Sequence, residues 1–121
     1  MPMQWGKTFL YCADVGDAAR MGEVSRDILE TVGVPDVVIA NAGIRIQDPV
    51  SYETSASAAQ VVMTNYIGVI NTFASFIDPM KQRRRGHLVA VSSIAALGAT
   101  PNSGIYSASK AAVNLWTGSA S

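Results

Sequence analysis

The sequence predicts an α/β domain built on a parallel sheet. Three short apolar runs alternate with three stretches of helical periodicity. The runs are rich in valine, isoleucine and leucine, which suits strands whose two faces are both covered. Polar clusters fall at the carboxyl end of each run, where open α/β sheets bind ligands. The 121 residues suit one domain. Hydrophobic residues make up 49% and charged residues 15% of the chain, enough apolar material for a buried core.

The first run, KTFLYCADV (7–15), reads as a buried strand ending at Asp14. Asp17 is placed to cap a helix with Met21, Val24, Ile28 and Val32 on its inner face, and Gly33 and Pro35 stop it. PDVVIANAG (35–43) is the second strand, running into a glycine turn. A long helical segment follows from about Ser55 to Arg85, with Val62, Tyr66, Val69, Ile70, Phe73 and Ile77 as its apolar stripe. Pro79 should kink its last part. Lys81, Arg83, Arg84 and Arg85 crowd its end before Gly86, where cations oppose the negative pole of the helix dipole. HLVAVSS (87–93) is the third strand, and SGIYSASKAAVNLW (103–116) is the last helix, with Ser103 as cap.

Several function classes are excluded or disfavoured. Nine basic and nine acidic residues cancel, giving no electrostatic reason to expect nucleic acid or an anionic membrane. Cys12 is the single cysteine, so there is no disulfide framework and no cysteine-based zinc site; it is expected to be a buried, unreactive side chain. His87 stands alone and no metal site is expected. No apolar stretch is long enough to span a bilayer and the start lacks a signal-peptide pattern, so a cytoplasmic protein is expected.

Chemistry points to the last helix. Tyr106 and Lys110 stand four apart, on one side of the helix and about 6 Å apart along its axis. A phenol is a poor proton shuttle at neutral pH, but a neighbouring ammonium favours its phenolate form. Ser93 lies thirteen residues before Tyr106, at the end of the third strand. Asn41, Ala42 and Gly43 end the second, where Gly43 permits a tight turn and a close approach to a ligand. Asn65 lies within the long helix, where asparagine is disfavoured and invites a reason.

The segments IANAG, TNYIG, VAVSS and YSASK, in this order and at these intervals, resemble the short-chain dehydrogenase/reductase family from about Thr8 to Trp116. The resemblance implies a partial Rossmann-like, doubly wound parallel sheet of about three strands, with residues 1–121 as one partial dinucleotide-binding and catalytic domain. It implies an NAD(P)-dependent oxidoreductase interconverting an alcohol and a ketone or aldehyde, with NAD or NADP as cofactor and no metal. Tyr106 would be the general acid/base and Lys110 would assist it and bind the nicotinamide ribose. Ser93, preferred over Ser92 by its interval to Tyr106, would hold the substrate oxygen. Asn65 would keep a water in the proton relay. Asp14 and Val15 would contact the adenine, and Asn41, Ala42 and Gly43 would border the adenosine.

The sequence departs from the family's pattern at both ends: the glycine-rich strand-turn-helix that opens the family's domain, its second strand, and its last strands with the substrate-covering loop are all expected to be absent. Its ten glycines contain no GxxxGxG or GxGxxG grouping of the kind that cradles a pyrophosphate. The expectation is therefore a segment of a longer dehydrogenase, with a non-catalytic interaction module or inactive fragment as the alternative. Without the family's first two strands, the 7–15 run is expected to lack neighbours. The two last helices are expected to pair with those of a second copy in a homodimer or homotetramer. Their apolar surface includes Ile67, Ile70, Phe73, Ala74, Phe76, Ile77, Met80, Val113, Leu115 and Trp116.

Overall fold

The first helix, α1 (Ala18–Thr31), begins where Asp17 leaves extended geometry and its carboxylate accepts from the Arg20 amide at 3.1 Å. In this computed structural model, residues 6–46, 55–98 and 103–119 are described. The helix ends as expected at Gly33. The amides of Val32 and Gly33 both donate to the Ile28 carbonyl, and the chain then turns at a φ of +108°. That left-handed geometry suits glycine alone among common residues.

Strand β1 (Val37–Ala40) pairs in parallel with β2 (His87–Ala90), Val37 opposite His87 and Ala40 opposite Ala90. Between them run α2 (Ser55–Val62), one π turn (Met63–Ile67) and α3 (Gly68–Arg83). The long helical segment therefore exists but is not uniform: it widens by one turn around Asn65. Arg83 fastens its end to the start of β1. The guanidinium donates to the carbonyls of Val34 (2.9 Å) and Pro35 (3.0 Å) and to the Asp36 carboxylate (3.0 Å). The helix stops at Arg84, whose φ of 55° is left-handed. A 3-10 turn (Ile94–Leu97) follows β2 and leads towards α4 (Gly104–Ser119), whose first turn is closed by the Ser107 amide on the Ser103 carbonyl at 2.8 Å.

Helices α3 and α4 share one face of the sheet. Ala40, Val69, Phe73 and Val113 form the buried cluster, with Val38, Leu88, Ala90 and Trp116 packed around it. Phe73 stacks on Trp116 with ring centroids 5.9 Å apart, holding the two helices together. Helix α1 packs against α3.

Three expectations are corrected. The α/β class stands, but the sheet has two strands among the described residues, not three. As expected from its lack of neighbours, the 7–15 run forms no sheet hydrogen bonds, and no strand lies beside it among the described residues. Leu10 is accordingly 92% exposed, and Cys12 is exposed where burial was expected. The run is tied down from outside any sheet: the Tyr11 hydroxyl donates to Asp27, Arg20 Nε to the Cys12 carbonyl, and Asn71 Nδ2 to the Val15 carbonyl. Next, the sheet is covered on one face, and Val37, Ile39, Val89 and Val91 on the other remain exposed among the described residues. Finally, Phe76 and Met80, counted among the apolar surface that the last two helices would offer a second copy, are buried, as is Phe73 of the apolar stripe. The helix turns them inward, so Phe76 offers nothing to a partner surface.

Candidate active site

The site forms where β1 and β2 end, above the π turn. Asn65 is completely buried. Its side chain brackets one residue of the turn after β1, the two peptides either side of Ile44: Oδ1 accepts from the Ile44 amide at 2.7 Å, and Nδ2 donates to the Ile44 carbonyl at 2.8 Å. Nδ2 also donates to Ser109 Oγ at 3.2 Å, and Ser109 Oγ donates to the Tyr106 carbonyl at 2.7 Å. One asparagine thus joins the end of β1 to the first turns of α4. This supplies the reason for an asparagine in mid-helix. The extra residue of a π turn re-aims side chains locally, and π turns recur at functional sites.

Lys110, one helical turn beyond Tyr106, is buried at 4% exposure. A buried ammonium needs partners. Its Nζ donates to the Val91 carbonyl at 3.0 Å, directly after β2. It also lies beside Gly43: a Cβ placed there would sit 3.3 Å from Lys110 Nζ and 3.5 Å from Asn65 Oδ1. Gly43 is therefore constrained by side chains of the site as well as by its turn. Asn41, Ala42 and Gly43 are exposed.

Ser93 and Ser92 separate cleanly. The Ser93 Oγ accepts from the Ala95 amide at 3.1 Å, opening the 3-10 turn, and its own hydroxyl proton is left to donate outward. The Ser92 Oγ is buried and has no hydrogen-bond partner among the described residues. The turn begun by Ser93 packs on α4. Tyr106 is partly exposed on the same helix.

Asp14 and Val15 lie on the other flank of the π turn. Asp14 Oδ1 accepts from the Gly16 amide at 2.8 Å. A Cβ on Gly16 would meet Asp14 Oδ1 and the Met63 backbone, and one on Gly68 would fall 2.5 Å from Val15 Cγ2. The structure thus gathers Gly43, Asn65, Ser109 and Lys110 into direct contact. Asp14 and Val15 adjoin the π turn, and Ser93 sits at the base of the turn that packs on α4.

Sequence reasoning passed over two residues of the site. Ser109 stands inside the YSASK segment, where its neighbour Lys110 drew the attention. Arg45, two residues past Gly43, sets its guanidinium carbon 5.4 Å from the centroid of the Tyr106 ring. Nothing in the linear order connects residues 45 and 106. Among the described residues no group of histidine, cysteine or carboxylate side chains is arranged to hold a metal. No helix among them is long and apolar enough to cross a membrane. A hollow of about 280 Å³ between Met80, Arg84 and Leu88 lies at the opposite end of β2 from Ser93.

A family model described as short chain dehydrogenase matches residues 3–121. A 3-ketodihydrosphingosine reductase of Bacteroides thetaiotaomicron is 32% identical over 108 residues, covering 89% of this chain and 40% of that protein. The dehydrogenase/reductase SDR family member 7B of Xenopus tropicalis is 34% identical over 114 residues, 93% of this chain and 37% of that protein. The chain therefore spans no more than about two fifths of the length of these relatives. Among solved structures, an alcohol dehydrogenase from the archaeon Thermococcus sibiricus, complexed with 5-hydroxy-NADP, superposes with a TM-score of 0.83. It is 27% identical and matched over 90% of this chain and 46% of its own. A gluconate 5-dehydrogenase from Burkholderia cenocepacia, in complex with NADP and tartrate, gives 0.81 at 26% identity, over 87% of this chain and 41% of its own.

Proposed function

The chain belongs to the short-chain dehydrogenase family of oxidoreductases, and from that premise we propose that it carries the proton-transfer site of an NAD(P)-dependent enzyme interconverting an alcohol with a ketone or aldehyde. One observation carries the reading: a buried lysine, one turn beyond a partly exposed tyrosine, is held at the carboxyl ends of both strands. Burying an ammonium is costly, and a purely structural role would be filled as well by an apolar side chain. Two solved relatives of the same fold hold NADP or a close derivative, which favours a nicotinamide cofactor here.

The residues fit such a cofactor. Lys110 has three donors and spends one on Val91, leaving others for ribose hydroxyls. The exposed Asn41-Ala42-Gly43 backbone would border the adenosine, and Asp14 with Val15 the adenine. The bound nicotinamide supplies or receives the hydride. Tyr106 gives its phenol proton to the substrate oxygen during reduction and accepts it during oxidation. Lys110 supports the phenolate that results. Ser93, its lone pair taken by the Ala95 amide, donates its hydroxyl proton to the same substrate oxygen. Asn65 fixes the Ile44 peptide, and with it Gly43, against the lysine, and holds the water of the proton relay.

Residues 1–121 would act as one unit, in the cytoplasm, within a homodimer or homotetramer formed through α3 and α4. Leu115 on α4, 78% exposed, supports that surface, and sedimentation of the protein as a monomer would exclude it. Tyr106→Phe tests the chemistry. Turnover of NAD(P)H with a ketone should fall by about 10²–10⁴-fold while cofactor affinity holds. Retention of more than about a tenth of the activity would overturn the assignment of Tyr106.

A further inference from the structure

Arg45 is not used by the chemistry above. Its backbone is well anchored, because Asn65 grips both the amide and the carbonyl of the preceding residue, Ile44. Its side chain is exposed and reaches over the Tyr106 ring, guanidinium carbon to centroid 5.4 Å. A cation within about 6 Å of an aromatic face is attracted to it. Among the described residues Arg45 forms no ion pair. The guanidinium pairs there are Arg20 with Glu23, and Arg83 and Arg85 with Asp36. The contact sets the guanidinium over the ring, and no hydrogen bond among the described residues takes up its N–H fork. That fork fits a carboxylate through two parallel hydrogen bonds.

The other charged groups at the site do not compete. Lys110 is turned inward to the Val91 carbonyl, and Asp14 is engaged with the Gly16 amide on the far side of the π turn. Among the described residues Arg45 is thus the charge that an arriving molecule meets beside the phenol. We propose that the substrate of this site is an acidic carbonyl or hydroxy compound, whose carboxylate, a few bonds from the reacting carbon, pairs with Arg45. This rests on Tyr106 as the group that meets the reacting oxygen.

Three aryl ketones differing in charge test it: phenylglyoxylate, its methyl ester and 2-aminoacetophenone, each assayed with NADH and with NADPH. The acid should have the highest kcat/KM. Arg45→Gln should lower the acid-to-ester ratio by about ten-fold or more, mainly through KM, because a charge-assisted pair is lost. Arg45→Lys should restore part of the ratio, and Arg45→Glu should shift preference to the aminoketone. Calorimetry with benzoate, which has no carbonyl to reduce, reads the same pairing without turnover and should show weaker binding in Arg45→Gln. Ketone reduction with an acid-to-ester ratio unmoved by Arg45→Gln and Arg45→Glu would overturn the inference and spare the oxidoreductase reading. A loss confined to NADPH over NADH would assign Arg45 to a cofactor phosphate and equally overturn it. No reduction of any ketone, with benzoate binding still dependent on Arg45, would sink the oxidoreductase reading and leave the anion site standing. No reduction and no Arg45-dependent benzoate binding would sink both.

Discussion

Replacing Asn65 by alanine should cost the protein more than any other single polar substitution at the site. The side chain is fully buried and makes three hydrogen bonds, two to the Ile44 backbone (2.7 and 2.8 Å) and one to Ser109 (3.2 Å). Each bond contributes on the order of 1 kcal/mol net. Stripping its partner from the Ile44 amide, half-buried, adds an unsatisfied-donor penalty of roughly 1–3 kcal/mol, less whatever water recovers. Alanine regains about 0.5 kcal/mol of helix propensity. The sum is a loss of about 3–5 kcal/mol, read as a lower urea midpoint at unchanged slope. The same change frees the peptide after Gly43, so activity should fall with it. Ser109→Ala removes the weakest of the three bonds and should cost about 1 kcal/mol, and the double variant should couple by less than that. A loss under about 1 kcal/mol in Asn65→Ala would show that the π turn stands without its asparagine, and that the bracket on Ile44 is incidental.

Other outcomes follow from the same contacts. Gly43→Ala places a methyl 3.3 Å from Lys110 Nζ, so the lysine must give way and kcat should drop several-fold; near-normal kcat would show that the ammonium moves freely. Phe73→Ala empties the core under Trp116 and should cost about 3–5 kcal/mol, with a change in tryptophan fluorescence as the stack is lost. The Tyr11 phenol is held above its ordinary pKa of 10.0 by its hydrogen bond to Asp27, assisted by desolvation and the carboxylate's charge. Protonated phenol is the bonded form. Any stabilisation from it is present below pH 10 and is lost as pH rises through the raised value. Ultraviolet titration should show one phenol ionising late, absent in Tyr11→Phe and returned towards 10.0 in Asp27→Asn.

Much of this protein is legible in the order of its residues. Asp17 and Gly33 bound α1 because capping and left-handed turns are local events, decided within a few residues. The apolar runs 37–40 and 87–90 become strands, and the helices between and after them follow their 3.6-residue period. The four linked motifs marked the family and the candidate residues Asn65, Ser93, Tyr106 and Lys110, since their types and intervals are written in the chain.

What remained was decided by partners far away in sequence. The 7–15 run has the composition of a strand, and the lack of neighbours expected for it leaves it outside any sheet among the described residues, because a strand exists only where another segment meets its amides and carbonyls. Phe76 belongs to the apolar stretch of α3 in the sequence, and only packing fixed it on the inward side. Only packing buries the Ser92 hydroxyl without a partner among the described residues while that of Ser93 caps the 3-10 turn. Asn65 in mid-helix looked unfavourable until its partners at residues 44 and 109 were in place. Arg45 over Tyr106 joins positions sixty-one apart. Local propensity sees only a few residues at a time, and each of these outcomes was set by a contact beyond that range.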